Sequence, residues 1–342
     1  MESSSVEMPN PTRRVVIVVG AIVVAQVVLV LLFAWAASRQ QPRDLPLAVA
    51  GPQPVVAGIV TGMNRNAPGA FDITVVDGPE AARESVTTRE AYGALVVADT
   101  GTTLYTAPAA SAAVASGLSE TVPAAVRQMN PSAQVTVTPL VPNPQHDPHG
   151  QGLPISLIAL TITSIAAGAL ISLLSGGRAI RVAALLGYAV AAGALSTWAL
   201  QGALEVLTGT WIANAGVMTL LCAAISAATS GLITLIGLPG IPVAAVVVFF
   251  YGFPLSGATS AWQLLPTPWG QIAQYLPVGA GSTALRSVAF FDGHGGGAAL
   301  AVLAVWAVVG LVVAASARTR VDTTPMSGAA MPAGTGGRPG MA

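Results

Sequence analysis

The chain alternates between long apolar runs and one region of mixed pattern. Six runs approach the roughly 20 apolar residues that a helix needs to cross a hydrocarbon core. They are Val15–Ala37, Leu153–Leu174, Val182–Gln201, Trp211–Ile236, Ile241–Gly257 and Ala298–Ala317. The fifth is the weakest, with Pro242 near its start and Pro254 near its end. It is read as a span because an odd total would place the arginines badly. Between the first two runs the periods change. "LPLAVAG" reads as a short apolar strand and "FDITVVD" alternates with β-branched residues. Helices are expected over Pro52–Asn66, after Asp77, and from Ser111 to about Met129. Asp77 stands where it can cap its helix, with Pro79, Glu80 and Glu84 following. "YGALVVAD", the turn "DTGT" and "TLYTAP" predict a hairpin, and "AQVTVTPL" a last strand. The order β-α-β-α-β-β-α-β predicts a mixed sheet with helices packed on it.

The expected fold is a six-helix transmembrane bundle with a mixed α/β extracytoplasmic domain inserted between the first and second spans. Its boundaries are a cytoplasmic N-terminus (1–14), a first transmembrane helix (15–37) and the extracytoplasmic domain (38–151). Transmembrane helices two to five (152–257) follow. Next come an outer re-entrant or interfacial helical hairpin (258–297), a sixth transmembrane helix (298–317) and a cytoplasmic tail (318–342). The tail's Gly, Pro, Ala and Thr content predicts disorder.

Composition supports the membrane reading: 53% of the 342 residues are hydrophobic and 8% charged, against about 25% charged in a soluble domain. Ser38–Gln151 holds 6 Arg and 9 Asp or Glu, whereas Gly152–Ala317 holds only Arg178, Arg181, Glu205, Arg286 and Asp292. The net charge is zero, so no nucleic-acid partner is implied. A cytoplasmic N-terminus places Arg13, Arg14, Arg178, Arg181, Arg318 and Arg320 inside, in keeping with the positive-inside bias. The first run could instead be a cleaved leader, since "FAWAAS" offers small residues. At about 23 residues it exceeds the ~7–15 of a signal core, which favours an uncleaved anchor in the plasma membrane.

All 14 basic residues are arginine. A nucleotide-binding P-loop needs a lysine for the outer phosphates, so the chain carries no complete P-loop. No acid falls well inside a run, which argues against a self-powered ion-coupled transporter. His146, Asp147 and His149 form "HDPH", and His294 lies in "DGHGGG". Two histidines and an acid are metal-ligating types, but the flanking prolines fit an exposed tether better. There is no G-x-S-x-G elbow and no G-x-G-x-x-G turn after the first strand. Cys222 is alone, so no internal disulfide forms. No catalytic, cofactor or metal residue is assigned, and the chain is not expected to be an enzyme. Ala223, Ala227 and Gly231 recur every fourth residue, as do Gly187 and Ala191. Such small residues let helix backbones approach in lipid, within a bundle or at a homodimer interface.

Leu264–Gly297, "LLPTPWGQIAQYLPVGAGSTALRSVAFFDGHGGG", is too broken to span and too apolar for a water-filled loop. Trp262, Trp269 and Tyr275 are residue types of the membrane interface. Pro266, Pro268 and Pro277 divide the segment into pieces, with helix expected at Trp269–Leu276 and Ser282–Phe291. Irregular backbone at membrane depth persists only against protein or a wet cavity, which suggests a helix pair capping the bundle. One span, an outside domain, then five spans with a broken hairpin before the last resembles the membrane subunit of type-2 ABC exporters. It is most similar to the phage-infection-protein-like relatives common in actinobacteria. "YGALVV" and "LLPTPWGQIAQYLPVGAGSTALRSVAFFDG" carry the likeness. The resemblance implies a dimerising permease driven by a separate ATP-binding subunit, with the outer hairpin helping to close the path.

On that reading Trp269, Tyr275 and Pro277 form an outer gate, and Arg286 and Asp292 hold the hairpin or a substrate headgroup. The family commonly places an amphipathic coupling helix before the first span, where "MESSSVEMPNPTRR" stands here. The ATPase contact would then rest on "SGGRAIR", with Arg178 and Arg181, or on "GLPGIP". The alternative is a non-transporting receptor, scaffold or envelope-assembly factor acting through its extracytoplasmic domain.

Overall fold

The computed structural model describes residues 11–99, 101–129 and 134–316. The tail from residue 318, with Arg318 and Arg320, lies outside the described residues, as do residues 1–10. Among the described residues, five helices are long and apolar enough to cross a membrane: Val15–Ser38, Gly152–Leu174, Arg178–Ala203, Trp211–Ile236 and Gly297–Ser316. The expected fifth run forms a shorter apolar helix, Gly240–Leu255.

Helix α1 (Pro11–Ser38) leads into a five-stranded sheet. Its elements are β1 (Leu45–Ala50), α2 (Gln53–Asn66), β2 (Phe71–Val75), α3 (Gly78–Thr87), β3 (Gly93–Ala98), β4 (Gly101–Thr106), α4 (Ala112–Met129) and β5 (Val135–Pro139). The spatial order is β2-β1-β3-β4-β5, with β3–β4 antiparallel and the other pairs parallel. This is the element order that the alternating pattern predicts. The period of two sorts β1 between two cores. Leu45, Leu47 and Val49 face α2 and α4, packing on Val56, Ile59, Leu118 and Val122. Ala48 and Ala50 face α3 and pack on Ala82 and Val86. Ser111 caps α4, its Oγ accepting from Val114 N at 3.2 Å. Asp77 occupies the cap position of α3, but its side chain makes no capping bond. There Pro at the first turn and Glu80 set the helix start instead.

The helical part contains α5 (Gly152–Leu174), α6 (Arg178–Thr197, continuing as a π-helical Trp198–Ala203) and α7 (Trp211–Ile236). Then come α8 (Gly240–Ala244), a π-helical Ala245–Tyr251 and α9 (Gly252–Leu255), which together form the shorter apolar helix. Two short helices, α10 (Trp269–Ala273) and α11 (Pro277–Phe290), precede α12 (Gly297–Ser316). α7 is the axis of the bundle. Gly168 of α5, Gly193 of α6 and Gly310 of α12 sit so close to it that a Cβ on any of them would strike Ser226, Thr219 or Ala227. In lipid, apolar surface alone gives little drive to associate, so such backbone approach carries the packing. The stripe Ala223, Ala227 and Gly231 is buried within the chain, with Gly231 facing Gly310. On α6, Gly187 and Ala191 are exposed on the outer face of this chain, and Ala189, Gly193 and Thr197 form the row buried within it. Both rows have a four-residue spacing, and only the neighbour selects between them.

The bundle has two distinct ends. At one, Arg181 donates to Thr234 Oγ1 and Ala314 O, each at 3.3 Å. At the other, Thr208 bonds Ala289 O, and the sheet domain packs there. Gly240–Leu255 starts beside the first end, where Gly240 packs on Ile233, and its Gly252 reaches Val278 at the start of α11.

Candidate functional site at the seam of sheet domain and bundle

Segment 258–297 belongs to four cores at once, one of which joins Leu265 and Ala273 to Ala36 of α1 and Leu255 of α9. Ala261 and Leu264 join the α2–α4 side of the sheet, and Phe291 joins the α3 side. Val278, Ala280, Ala284, Leu285 and Ala289 enter the core of the bundle. The expected helix Ser282–Phe291 in fact starts at Pro277, which occupies a first-turn position where its missing N–H costs nothing. Gly279 and Gly281 do not break it. They are the points where Ala273 O and the Leu221 side chain press in.

Polar contacts complete the joint. Gln41 N and Arg43 N donate to Leu264 O and Gln263 O at 2.9 and 3.1 Å. The Arg43 guanidinium adds a bond to Leu264 O at 2.8 Å. Tyr92 Oη donates to Gln263 Oε1 at 2.9 Å. Arg89 stands at φ 63 between α3 and β3. It donates to Thr283 O at 2.8 Å and to Ser287 Oγ, and lies 5.6 Å from the centre of the Phe291 ring. Burial lowers the Arg89 guanidinium from its ordinary range, with Tyr92 partly opposing.

Burial raises the Tyr92 phenol, while Arg89, Arg286 and the bond to Gln263 pull it back. The fold therefore favours the neutral phenol. Its contribution is fully present below the unfolded value of about 10 and is lost as pH rises through the raised folded value. Tyr92→Phe should flatten the alkaline limb of a stability–pH curve above about pH 10. A wild-type limb of unchanged steepness in the variant would refute this.

Arg286 is 8% exposed. Its guanidinium donates to Gly257 O at 3.4 Å, Ala258 O at 2.5 Å and Ser282 Oγ at 2.9 Å. No acid pairs with it among the described residues. It contributes to the wall of a cleft of about 930 Å³, together with Phe290, Thr259, Leu153 and faces of α4 and β5. The other expected gate residues are dispersed. Trp269 and Tyr275 are 36% and 70% exposed. Trp269 meets Tyr251 edge-on at 5.7 Å, and Trp306 Nε1 donates to Tyr275 O at 2.8 Å. Pro277 is buried, and Asp292 is exposed in the turn after α11 with φ 50. Arg286 and Asp292 do not pair.

At the opposite end Arg178 is exposed, whereas Arg181 is half-buried and braces α5, α7 and α12 through Ser175, Thr234 and Ala314. The "HDPH" tether is resolved into local roles. Asp147 accepts from Gln151 N and Gly152 N at 2.9 and 2.8 Å, closing the start of α5. His146 lies 3.0 Å from Glu205, both exposed, and His294 bonds Phe291 O. No metal-holding cluster occurs among the described residues. Asp147→Ala should cost about 1 kcal/mol of stability, as loss of a helix cap does. His146→Ala should fall within about 0.5 kcal/mol. Chemical denaturation of the two variants in detergent checks the order, and equal losses would contradict it.

Arg89, Gln263, Thr283 and Ser287 carry the joint without having been singled out in the sequence. "YGALVV" did include Tyr92, but nothing local marks its partner 171 residues away. Comparisons with protein-family models, with curated proteins and with solved structures returned no match.

Proposed function

We propose that this chain is the membrane subunit of an ABC-type exporter, moving an amphipathic or hydrophobic substrate with the energy of a separate ATP-binding subunit. In this reading Gly240–Leu255 is a fifth of six spans, both termini are cytoplasmic, and the sheet domain is extracytoplasmic. The observation that carries it is the cleft at the seam of sheet domain and bundle, which combines apolar walls with a buried cation. That combination suits an amphipathic molecule leaving the outer end of the helices. Trp269, Tyr275 and Pro277 edge the same hairpin and complete the outer gate. Arg178, exposed at the opposite end, is the cationic contact for the ATP-binding subunit, and Arg181 stiffens the platform behind it. Pairing of two copies through lipid-facing surfaces belongs to the same reading.

Purification from native membranes in mild detergent, followed by mass spectrometry, tests it. A stoichiometric ATP-binding subunit, reduced in the Arg178→Glu variant, is the expected result. Reproducible recovery without any ATP-binding subunit would sink the exporter reading. One observation favours a second reading, a non-transporting receptor or scaffold. The sheet domain is fixed to the hairpin by bonds from Gln41, Arg43, Arg89 and Tyr92, as a rigid recognition platform requires. An envelope protein recovered in place of the ATPase would support it.

A further inference from the structure

We infer that the cleft between α4, β5 and α11 binds an amphiphile with one anionic headgroup, and that Arg286 is its counter-ion. As the substrate class of the exporter this rests on the reading above; as a binding site it stands on the geometry alone.

A guanidinium withdrawn from water is costly unless an anion compensates it. Arg286 has two backbone carbonyls and one hydroxyl around it, all neutral, and no acid pairs with it among the described residues. Two carboxylates do line the cleft, Glu120 and Asp147. Glu120 is exposed to solvent on α4, and Asp147 is committed to the backbone N–H groups of Gln151 and Gly152. Neither neutralises Arg286, which leaves one positive charge in the wall of a large cleft. A planar guanidinium suits a carboxylate or phosphate oxygen pair.

Size and lining define the rest of the ligand. At about 930 Å³ the cleft lies at the upper end of the range for small-molecule sites. Ala112, Ala115, Val137, Pro139, Leu153 and Phe290 give it apolar walls. A small inorganic anion would leave those walls wet, and an uncharged hydrocarbon would leave Arg286 uncompensated. One acyl or alkyl chain with one anionic end satisfies both.

The test uses the full chain in phosphatidylcholine nanodiscs and the fluorescent acid 11-(dansylamino)undecanoate, with empty discs subtracted. Saturable binding of one probe per chain is expected. The methyl ester of the probe, and the variants Arg286→Gln and Ser116→Trp, should each bind at least about tenfold more weakly. Ser116 is an exposed lining residue of α4, so its tryptophan fills the cleft while leaving Arg286 in place. This keeps the test decisive if Arg286→Gln does not fold. Displacement of the probe by phosphatidylglycerol in the disc would identify a lipid headgroup as the source. Its failure to displace would identify a free amphiphile, and either result supports the site. Equal affinity for acid and ester, wild-type affinity in Ser116→Trp, or displacement by acetate or inorganic phosphate as effective as by a long-chain acid would overturn it. Probe binding without a co-purified ATPase keeps the site and removes the exporter. A co-purified ATPase without probe binding does the reverse.

Discussion

Arg89→Ala should destabilise the assembled protein by about 2–4 kcal/mol and free the sheet domain from the helices. Hydrogen bonds from a charged donor contribute about 1.5–3 kcal/mol each, and Arg89 makes two of them across the seam, to Thr283 O and Ser287 Oγ. Its position over the Phe291 ring adds about 0.5–1 kcal/mol. These contributions share one side chain and do not sum, so about half of their total of roughly 3.5–7 kcal/mol is the expected loss. The backbone supplies an internal control. Arg89 sits in the left-handed region at φ 63, which costs a non-glycine residue about 1 kcal/mol or more. Arg89→Gly removes the same bonds but relieves that cost, so it should be milder than Arg89→Ala by about 1 kcal/mol. Both bonds come from Nη1, so Arg89→Lys keeps the charge and a donor but on a differently shaped side chain, and should fall between wild type and alanine. Thermal unfolding in detergent ranks the four proteins. Alanine and glycine variants of equal stability would show that the backbone at residue 89 is not under the assigned strain.

The second large effect belongs to the bundle. Gly193→Leu should abolish monodisperse behaviour in size-exclusion chromatography, whereas Gly187→Leu should be silent. Both glycines lie on α6. A Cβ at Gly193 would collide with the backbone of Thr219 on α7, while the space around Gly187 is open within 4 Å. Overpacking typically costs about 1–3 kcal/mol when side chains can shift, and more is expected here because helix backbone must move. A side chain at 187 meets no other part of this chain within 4 Å. If both variants behaved alike, α6 would not be packed on α7 through this face.

The same pair shows what the sequence conveys and what it withholds. Spacing of small residues marks α6 as a helix built for close approach, but Gly187 with Ala191 and Ala189 with Gly193 satisfy the rule equally. The choice is made by α7, which is not local to either. Long apolar runs such as Trp211–Ile236 are legible because length and composition suffice. The run Ile241–Gly257 was ambiguous for a physical reason: its helix is short and contains the π-helical Ala245–Tyr251. The strands were legible because β1 alternates Leu47 and Val49 with Ala48 and Ala50 on opposite faces. Asp77 looked like a cap, yet Asp147, read as a possible metal ligand, is the residue that closes a helix start. Capping depends on backbone geometry that a residue type does not encode. The candidate site was legible in part. Arg286 stood out as the lone cation of the hairpin, but its burial and its cleft depend on α4 and β5, far away in the chain. Arg89 gave no signal, because its partners Thr283 and Ser287 lie 194 and 198 residues on.

The central claim is that segment 258–297 is a fixed joint, so that the sheet domain and the bundle act as one body. Spin labels at exposed Glu84 on α3 and exposed Leu204 beside the bundle test it by electron–electron distance measurement; the native Cys222 is buried and should not take label. The wild-type joint predicts a single narrow distance distribution, and Arg89→Ala a broad one. A broad distribution in the wild-type background would contradict the claim, and a narrow one that survives loss of Arg89 would assign the joint to the bonds of Gln41, Arg43 and Tyr92 and to the shared cores.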